Sequence, residues 1–211
     1  MELDKLGFSL VPNLLSSVSI NAIIKCIDQQ DEKDPSFLRS KDLFAIRELF
    51  LRIPALLDLI LTNELKELLS VLGLSERSIT KAIYFDKPAS SNWFVAFHQD
   101  LIINVERHTE IAGYSNWTNK RGLIGVQPPL EILQNTTTLR IHLDDADESN
   151  GALRVLPHSQ LNGIKRTDRP FDTKDEVCCT VKKRWRYVDE TAYYARFAKS
   201  NFRQKKKGDP Y

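Results

Sequence analysis

Apolar residues fall into two textures along the chain. In the first seventy residues they recur at three- and four-residue steps. Ile20, Ile23, Ile24 and Ile27 make one helical stripe behind Ser17 or Ser19 as caps. Leu43, Ile46, Leu49, Phe50, Ile53, Leu56, Leu57 and Ile60 continue the pattern through Lys41–Leu72, which predicts two or three helices with Pro54 and Asn63 near helix starts. Gly7–Val11 reads as a short strand before them, and the polar run Gln29–Ser40 as a loop. After Gly73 the runs shorten and alternate. Ile79–Phe85, Trp93–Phe97, Leu101–Val105, Thr137–Leu143, Ala152–Leu156 and Cys178–Val181 read as strands. Turns are signalled at Asp86–Ser91, Asp144–Gly151 and Pro157–Gly163. Helices followed by many short strands imply an α+β chain, with an antiparallel barrel or double-sheet jelly roll in its second part.

With 211 residues, one sizeable core is affordable without disulfides or a metal staple. Three cysteines at no metal-binding spacing read as thiols in a reducing compartment, and the expected location is cytoplasmic. Arg52, Pro54 and Asp58 break the longest apolar stretch, so no membrane partner is expected. The net charge of +2 conceals an asymmetry: residues 182–211 hold ten Lys/Arg against three Asp/Glu, whereas the preceding residues are net acidic. Basic residues there, including Lys205, Lys206 and Lys207, alternate with Tyr193, Tyr194, Phe197 and Phe202, a pattern open to a nucleic-acid or phosphate ligand. A solvated charged tail is the commoner meaning of such a run, which makes nucleic acid the less favoured partner.

The chain has four histidines, His98, His108, His142 and His158. His98 and Asp100 form His-x-Asp beside the run Trp93–Phe97, and residues two apart on a strand point to one side. An imidazole and a carboxylate so placed suit Fe(II), with room for a second imidazole to complete a facial triad. Four His and sixteen Asp make about 0.3 chance occurrences of that tripeptide in a chain of this length, so its surroundings must carry the argument. Ala82-Ile83-Tyr84-Phe85-Asp86-Lys87-Pro88 precedes Asn92-Trp93-Phe94-Val95-Ala96-Phe97-His98-Gln99-Asp100-Leu101. Val126-Gln127-Pro128-Pro129, Thr138-Leu139-Arg140-Ile141-His142-Leu143-Asp144-Asp145 and Asn150-Gly151-Ala152-Leu153-Arg154-Val155-Leu156-Pro157 follow. In this order the segments resemble the phytanoyl-CoA dioxygenase-like family of Fe(II)/2-oxoglutarate-dependent oxygenases, over roughly residues 5–181.

The resemblance implies N-terminal helices packed on a double-stranded β-helix barrel, an iron held by His98 and Asp100, and 2-oxoglutarate as cosubstrate. It further implies O2 and a small metabolite or lipid-like molecule as substrates, the latter to be hydroxylated. Arg140, on the alternating run Thr138–Leu143, is the candidate for a cosubstrate carboxylate; the alternative is an ion pair with the acidic turn Asp144–Glu148. His142 reads as a packed histidine and His108 as a solvated one. Trp93 and Trp117 are either pocket walls or plain core, and the mixed segment from Asn104 to Gln127 reads as a long loop of lid type. Where the family has Gly-Ser-His after proline, this chain has His158-Ser159-Gln160, which puts the usual turn in doubt.

The family's chain should continue beyond residue 181 with a Gly-rich turn, a strand ending in Pro-Leu-x-x-His that supplies the third ligand, and a basic run. No histidine follows His158 here. Read one nucleotide later, the codon of Trp185 must encode Gly, Glu190 gives Lys or Arg, and Thr191, Ala192 and Ala195 permit Pro, Leu and His. Residues 1–181 are therefore expected to be the oxygenase domain and 182–211 an aberrant basic tail from a frameshift. On that reading the barrel is incomplete at its C-terminal end, without closing strands, and the chain is an inactive or impaired relative.

Overall fold

The computed structural model describes residues 3–30, 38–39, 44–86, 96–165, 172–182, 186–190 and 195–197. It opens with a single helical turn α1 (Leu3–Leu6), strand β1 (Phe8–Val11) and the longest helix, α2 (Ser17–Asp28). The side chain of Ser16, not Ser17 or Ser19, accepts from the Ser19 amide and caps α2. Short strands β2 (Leu38–Arg39) and β3 (Phe44–Arg47) precede helices α3 (Leu49–Arg52), α4 (Ala55–Ile60) and α5 (Asn63–Val71). Phe44–Arg47, expected as helix, is a strand because it pairs with β4 (Ile83–Asp86), so tertiary pairing overrides its helical spacing. Pro54 precedes α4, and the Thr62 hydroxyl accepts from the Leu65 amide to cap α5.

The second part holds β5 (Ile103–Val105), β6 (Ser115–Lys120), β7 (Leu123–Gln127), α6 (Leu130–Gln134), β8 (Thr137–Ile141), β9 (Leu153–Val155), a 3-10 turn at Ser159–Asn162, and β10 (Val177–Cys179). The segment expected as a long loop is instead an antiparallel hairpin, β6 on β7, with β5 on the other side of β7. Two backbone facts make the hairpin possible. Gly122 turns it with φ +84°, and Gly125 admits Ile102 and Thr118 so closely that a Cβ would lie 2.7 and 2.8 Å from their atoms.

Beyond Lys182, where no strands were expected, β11 (Arg186–Glu190) lies antiparallel between β1 and β8, and β12 (Ala195–Phe197) pairs with β9. The described strands form four three-stranded sheets, β1-β11-β8, β10-β9-β12, β2-β3-β4 and β5-β7-β6, and they do not close into one barrel. The mixed helix-and-sheet class agrees with the sequence; a complete jelly roll does not emerge.

Two cores hold these layers. The larger joins α2 to the later helices through Ile20, Ile23, Ile27, Ile46, Leu49, Ile53, Leu56, Ile60 and Leu65, with Leu139, Ile141 and Leu143 packed against it. The smaller sets Phe8 against Leu153, Val155 and Cys179. Among the described residues no helix is long and apolar enough to cross a membrane. All three cysteines are free thiols.

Candidate metal centre

The larger core orients one side of the site. Leu139, Ile141 and Leu143 turn toward the helices, so strand alternation sends Arg140 and His142 the other way. Arg140 reaches Asp100, with 3.6 Å between Nη2 and Oδ2. In the acidic turn, Asp145 pairs with Lys182 at 3.3 Å, and Asp147 is bound up with Ser149 and Asn150. Asp100 is thus held between two cationic or potentially cationic groups, because its other oxygen lies 3.9 Å from His98 Nε2.

The His98 ring has a defined tautomer. Its Nδ1 lies 2.9 Å from the Ala96 carbonyl, which can only accept, so Nδ1 carries the hydrogen. When the ring is neutral the lone pair is then on Nε2, on the side of Asp100, and a backbone carbonyl behind a ligating imidazole is a common way to orient one. A neutral imidazole nitrogen and a carboxylate oxygen facing one space suit a divalent ion on two points.

Gln99, which the motif pattern did not single out, anchors this pair. Its Nε2 donates to the Gly163 carbonyl at 2.9 Å, and its Oε1 accepts from the Lys165 amide at 3.1 Å. The residue between the two candidate donors is therefore tied to a segment more than sixty residues away. The only sequence signal was its position inside His-x-Asp.

The remaining histidines stand apart in role. His142 is mostly buried, and burial, then the charge of Arg140, pushes its pKa down to about 4, so the ring is neutral at ordinary pH. His108 packs edge-on against Trp117, with ring centroids 4.1 Å apart. His158 takes a left-handed backbone, φ +63°, at the start of the 3-10 turn, which explains why glycine is natural there. Its Nδ1 lies 2.7 Å from the Lys5 carbonyl, so it ties the turn to α1. Gln160 is buried against Gly7, where its side chain fills the space a Cβ would need. Gly151 turns with φ +94°, a turn role. Trp93 lies outside the described residues, as do Tyr193, Tyr194 and the lysines of the basic run.

Among the described residues no three His, Cys, Asp or Glu side chains stand where they could hold one metal ion. Among the described residues the site therefore has two protein donors, with a guanidinium beside them.

Solved structures of similar fold include some with 2-oxoglutarate bound. The structure of HygX from Streptomyces hygroscopicus with nickel and 2-oxoglutarate bound superposes with a TM-score of 0.60 at 11% identity, covering 96% of this chain and 80% of that one. EctD from S. alaskensis with 2-oxoglutarate and 5-hydroxyectoine gives 0.68 at 15% identity, over 95% of this chain and 70% of that one. SnoK, a non-heme alpha-ketoglutarate-dependent carbocyclase from nogalamycin biosynthesis, gives 0.60 at 14%, over 95% and 76%. The class is that of the non-haem, 2-oxo-acid-dependent oxygenase fold. Within it the chain belongs to the phytanoyl-CoA dioxygenase (PhyH) family, whose model matches residues 3–199. No curated protein sequence matches the chain.

Proposed function

We propose that this chain is an Fe(II)/2-oxoglutarate-dependent dioxygenase by design, acting on a small metabolite or lipid-like substrate with O2, and that its metal centre is short of one ligand. The observation that carries the reading is the pairing of His98 Nε2 with Asp100 across 3.9 Å, backed by the tautomer that Ala96 imposes. Family membership supports the cofactor assignment, and the nickel and 2-oxoglutarate bound in HygX are a precedent within the fold.

His98 and Asp100 would hold the ion. A redox-active ion in this setting supplies O2 activation coupled to oxidative decarboxylation of the 2-oxo acid. The chain's own residues do the placing: Ala96 orients His98, Gln99 fixes the segment, and Arg140 offers a carboxylate a charge-assisted contact. With two protein donors the ion is held weakly and turnover is low. A solution titration with Co(II) tests this. His98→Ala and Asp100→Ala each abolish the binding, while His108→Ala leaves it intact; unchanged affinity in both ligand variants overturns the assignment. A 2-oxoglutarate consumption assay with Fe(II) then measures the turnover that remains.

The same reading takes residues 1–181 as the oxygenase domain and 182–211 as a segment translated out of frame. The absence of any histidine after His158 and the abrupt gain of positive charge support it. The family match runs to residue 199 and β11 and β12 pair through their backbones, so on this reading the missing part is the ligand and the segment still supplies strands. Sequencing the coding DNA decides: codons after Lys183 that cannot encode Pro-Leu-x-x-His in the next frame end the idea.

A further inference from the structure

We propose that Asn162–Gly163 is a site of spontaneous covalent modification, where the asparagine deamidates through a cyclic imide and its isoaspartate product releases the grip of Gln99. The chain's other Asn-Gly pair, Asn150–Gly151, is protected from the same reaction. The inference needs neither a bound ion nor the functional reading above.

An asparagine followed by glycine is open to this chemistry because no Cβ on the second residue hinders its amide nitrogen. The Gly163 nitrogen loses its proton to solvent base and attacks Asn162 Cγ. A C–N bond forms, the Cγ–Nδ2 bond breaks, and Nδ2 leaves as ammonia with a proton from water. Water then adds to one of the two imide carbonyls. Opening on one side gives aspartate on an unchanged main chain. Opening on the other routes the main chain through the side-chain carbons, which lengthens it by one methylene as isoaspartate. Nothing is oxidised or reduced, and either product carries a new negative charge.

Three observations single out Asn162. The fold demands the glycine: Gly163 has φ +65° and ψ −157°, a conformation open essentially to glycine alone, so no bulkier residue stands there to slow the attack. Its N–H donates to no described group, which leaves the nucleophile uncommitted. Asn162 is exposed at the end of the 3-10 turn, and among the described residues only its Nδ2 is engaged, with the His158 carbonyl at 3.2 Å. Asn150 is held at both ends instead. Its Oδ1 accepts from the Asp147 amide and its Nδ2 donates to the Asp145 carbonyl, each at 2.7 Å. To present Cγ to the following nitrogen, Asn150 breaks two bonds where Asn162 breaks one.

The product is felt at Gln99. The turn is pinned upstream by His158, whose Nδ1 and amide lie against the Lys5 and Leu6 carbonyls. It is pinned downstream by Gln99, which donates to the Gly163 carbonyl and accepts from the Lys165 amide. The backbone between these pins fits one length, and an added methylene just before Gly163 breaks the fit. Gln99 lies between His98 and Asp100, so isoaspartate loosens the segment that carries both. Aspartate on an unchanged main chain leaves the grip intact.

The test ages the folded full-length chain in warm, mildly alkaline buffer and follows two tryptic peptides, residues 141–154 with Asn150 and residues 155–165 with Asn162. Chromatography with mass spectrometry separates the asparagine, aspartate and isoaspartate forms, and isoaspartyl methyltransferase labels the last. The Asn162 peptide should convert about fivefold faster or more, the worth of one hydrogen bond, and urea should bring the two rates together. Asn162→Gln, whose longer side chain closes a ring far more slowly, should silence that peptide. Equal rates in the folded chain, faster loss at Asn150, or no conversion at Asn162 overturns the site. A rate gap that survives in urea belongs to the neighbouring residues and overturns it as well. Hydrogen exchange tests the consequence: the Lys165 amide should exchange faster in the isoaspartate-bearing fraction, and no faster than in the fresh chain for Asn162→Asp. Unchanged exchange in the isoaspartate fraction overturns the release of Gln99.

Discussion

At the scale of single residues, His142 links burial to pH. Its ring is buried beside Arg140 and titrates near 4 in the folded chain, against an ordinary value of 6.5. Between those values the unfolded chain binds a proton that the folded chain refuses. Stability is therefore unaffected above about pH 6.5 and falls as the pH drops toward 4, by up to about 3 kcal/mol from this group. Asp86 acts in the opposite sense. Burial first, then Asp144 and Asp28, raises its pKa, so below its folded pKa the penalty of its charge is relieved, while above it the chain carries that penalty. Comparing His142→Gln with the wild type isolates the histidine: denaturant midpoints measured from pH 7.5 to 4 should drop less steeply in the variant. Parallel curves for the two proteins would refute the buried, neutral ring. The same scale shows why Arg140 could be located only in part from the sequence. Alternation indicated which way it points, but Asp100, forty residues away, lies outside the strands on the segment before β5, and its approach depends on the tertiary path of that segment.

At the scale of elements, α2 and α4 hold the helical layer to β8. Leu56 is completely buried in α4, among Ile20, Ile23 and their neighbours. Leu56→Ala should cost about 2–5 kcal/mol, since it leaves a cavity that the surrounding helices fill only partly. Ser16→Ala removes one capping bond from an exposed helix start and should cost only about 1 kcal/mol. Urea denaturation of the two variants measures both, and the ratio between them is the useful result. Because Leu139 and Ile141 rest on the same core, Leu56→Ala should also loosen Co(II) binding, whereas Ser16→Ala should not. The element scale also holds the misreadings. The Asn104–Gln127 segment lacks strong apolar alternation, since Ser115–Lys120 is largely exposed and polar, so its hairpin comes from the turn at Gly122 and pairing with β5.

At the scale of the whole molecule, the segment after Lys182 matters for edges. β11 is central in its sheet, between β1 and β8, and β12 covers one side of β9. A chain ending at Lys182 leaves the facing edges of β1 and β8 without backbone partners, which invites pairing between molecules. Light scattering on heating should show the truncated chain aggregating at a lower temperature than the full chain. Equal behaviour would mean that the segment contributes nothing to the fold. If the DNA encodes the family's strand in the next frame, the chain expressed from the restored frame should bind Co(II) far more tightly than this chain, since it gains a third ligand.

Taken alone, the sequence determined what is local or written as a pattern. It specified the α2 stripe, the starts of α4 and α5, most strands from β4 to β10, the His-x-Asp pair and the family. These follow from periodicity, caps and turn residues, which act over a few positions. Tertiary structure decided what depends on distant partners. It made Phe44–Arg47 a strand by pairing it with β4, set β11 between two strands from opposite ends of the chain, tied Gln99 to Gly163 and Lys165, and placed Arg140 on Asp100. Side-chain direction can be inferred from alternation, but which group stands opposite is settled only when separate sheets pack against a common core.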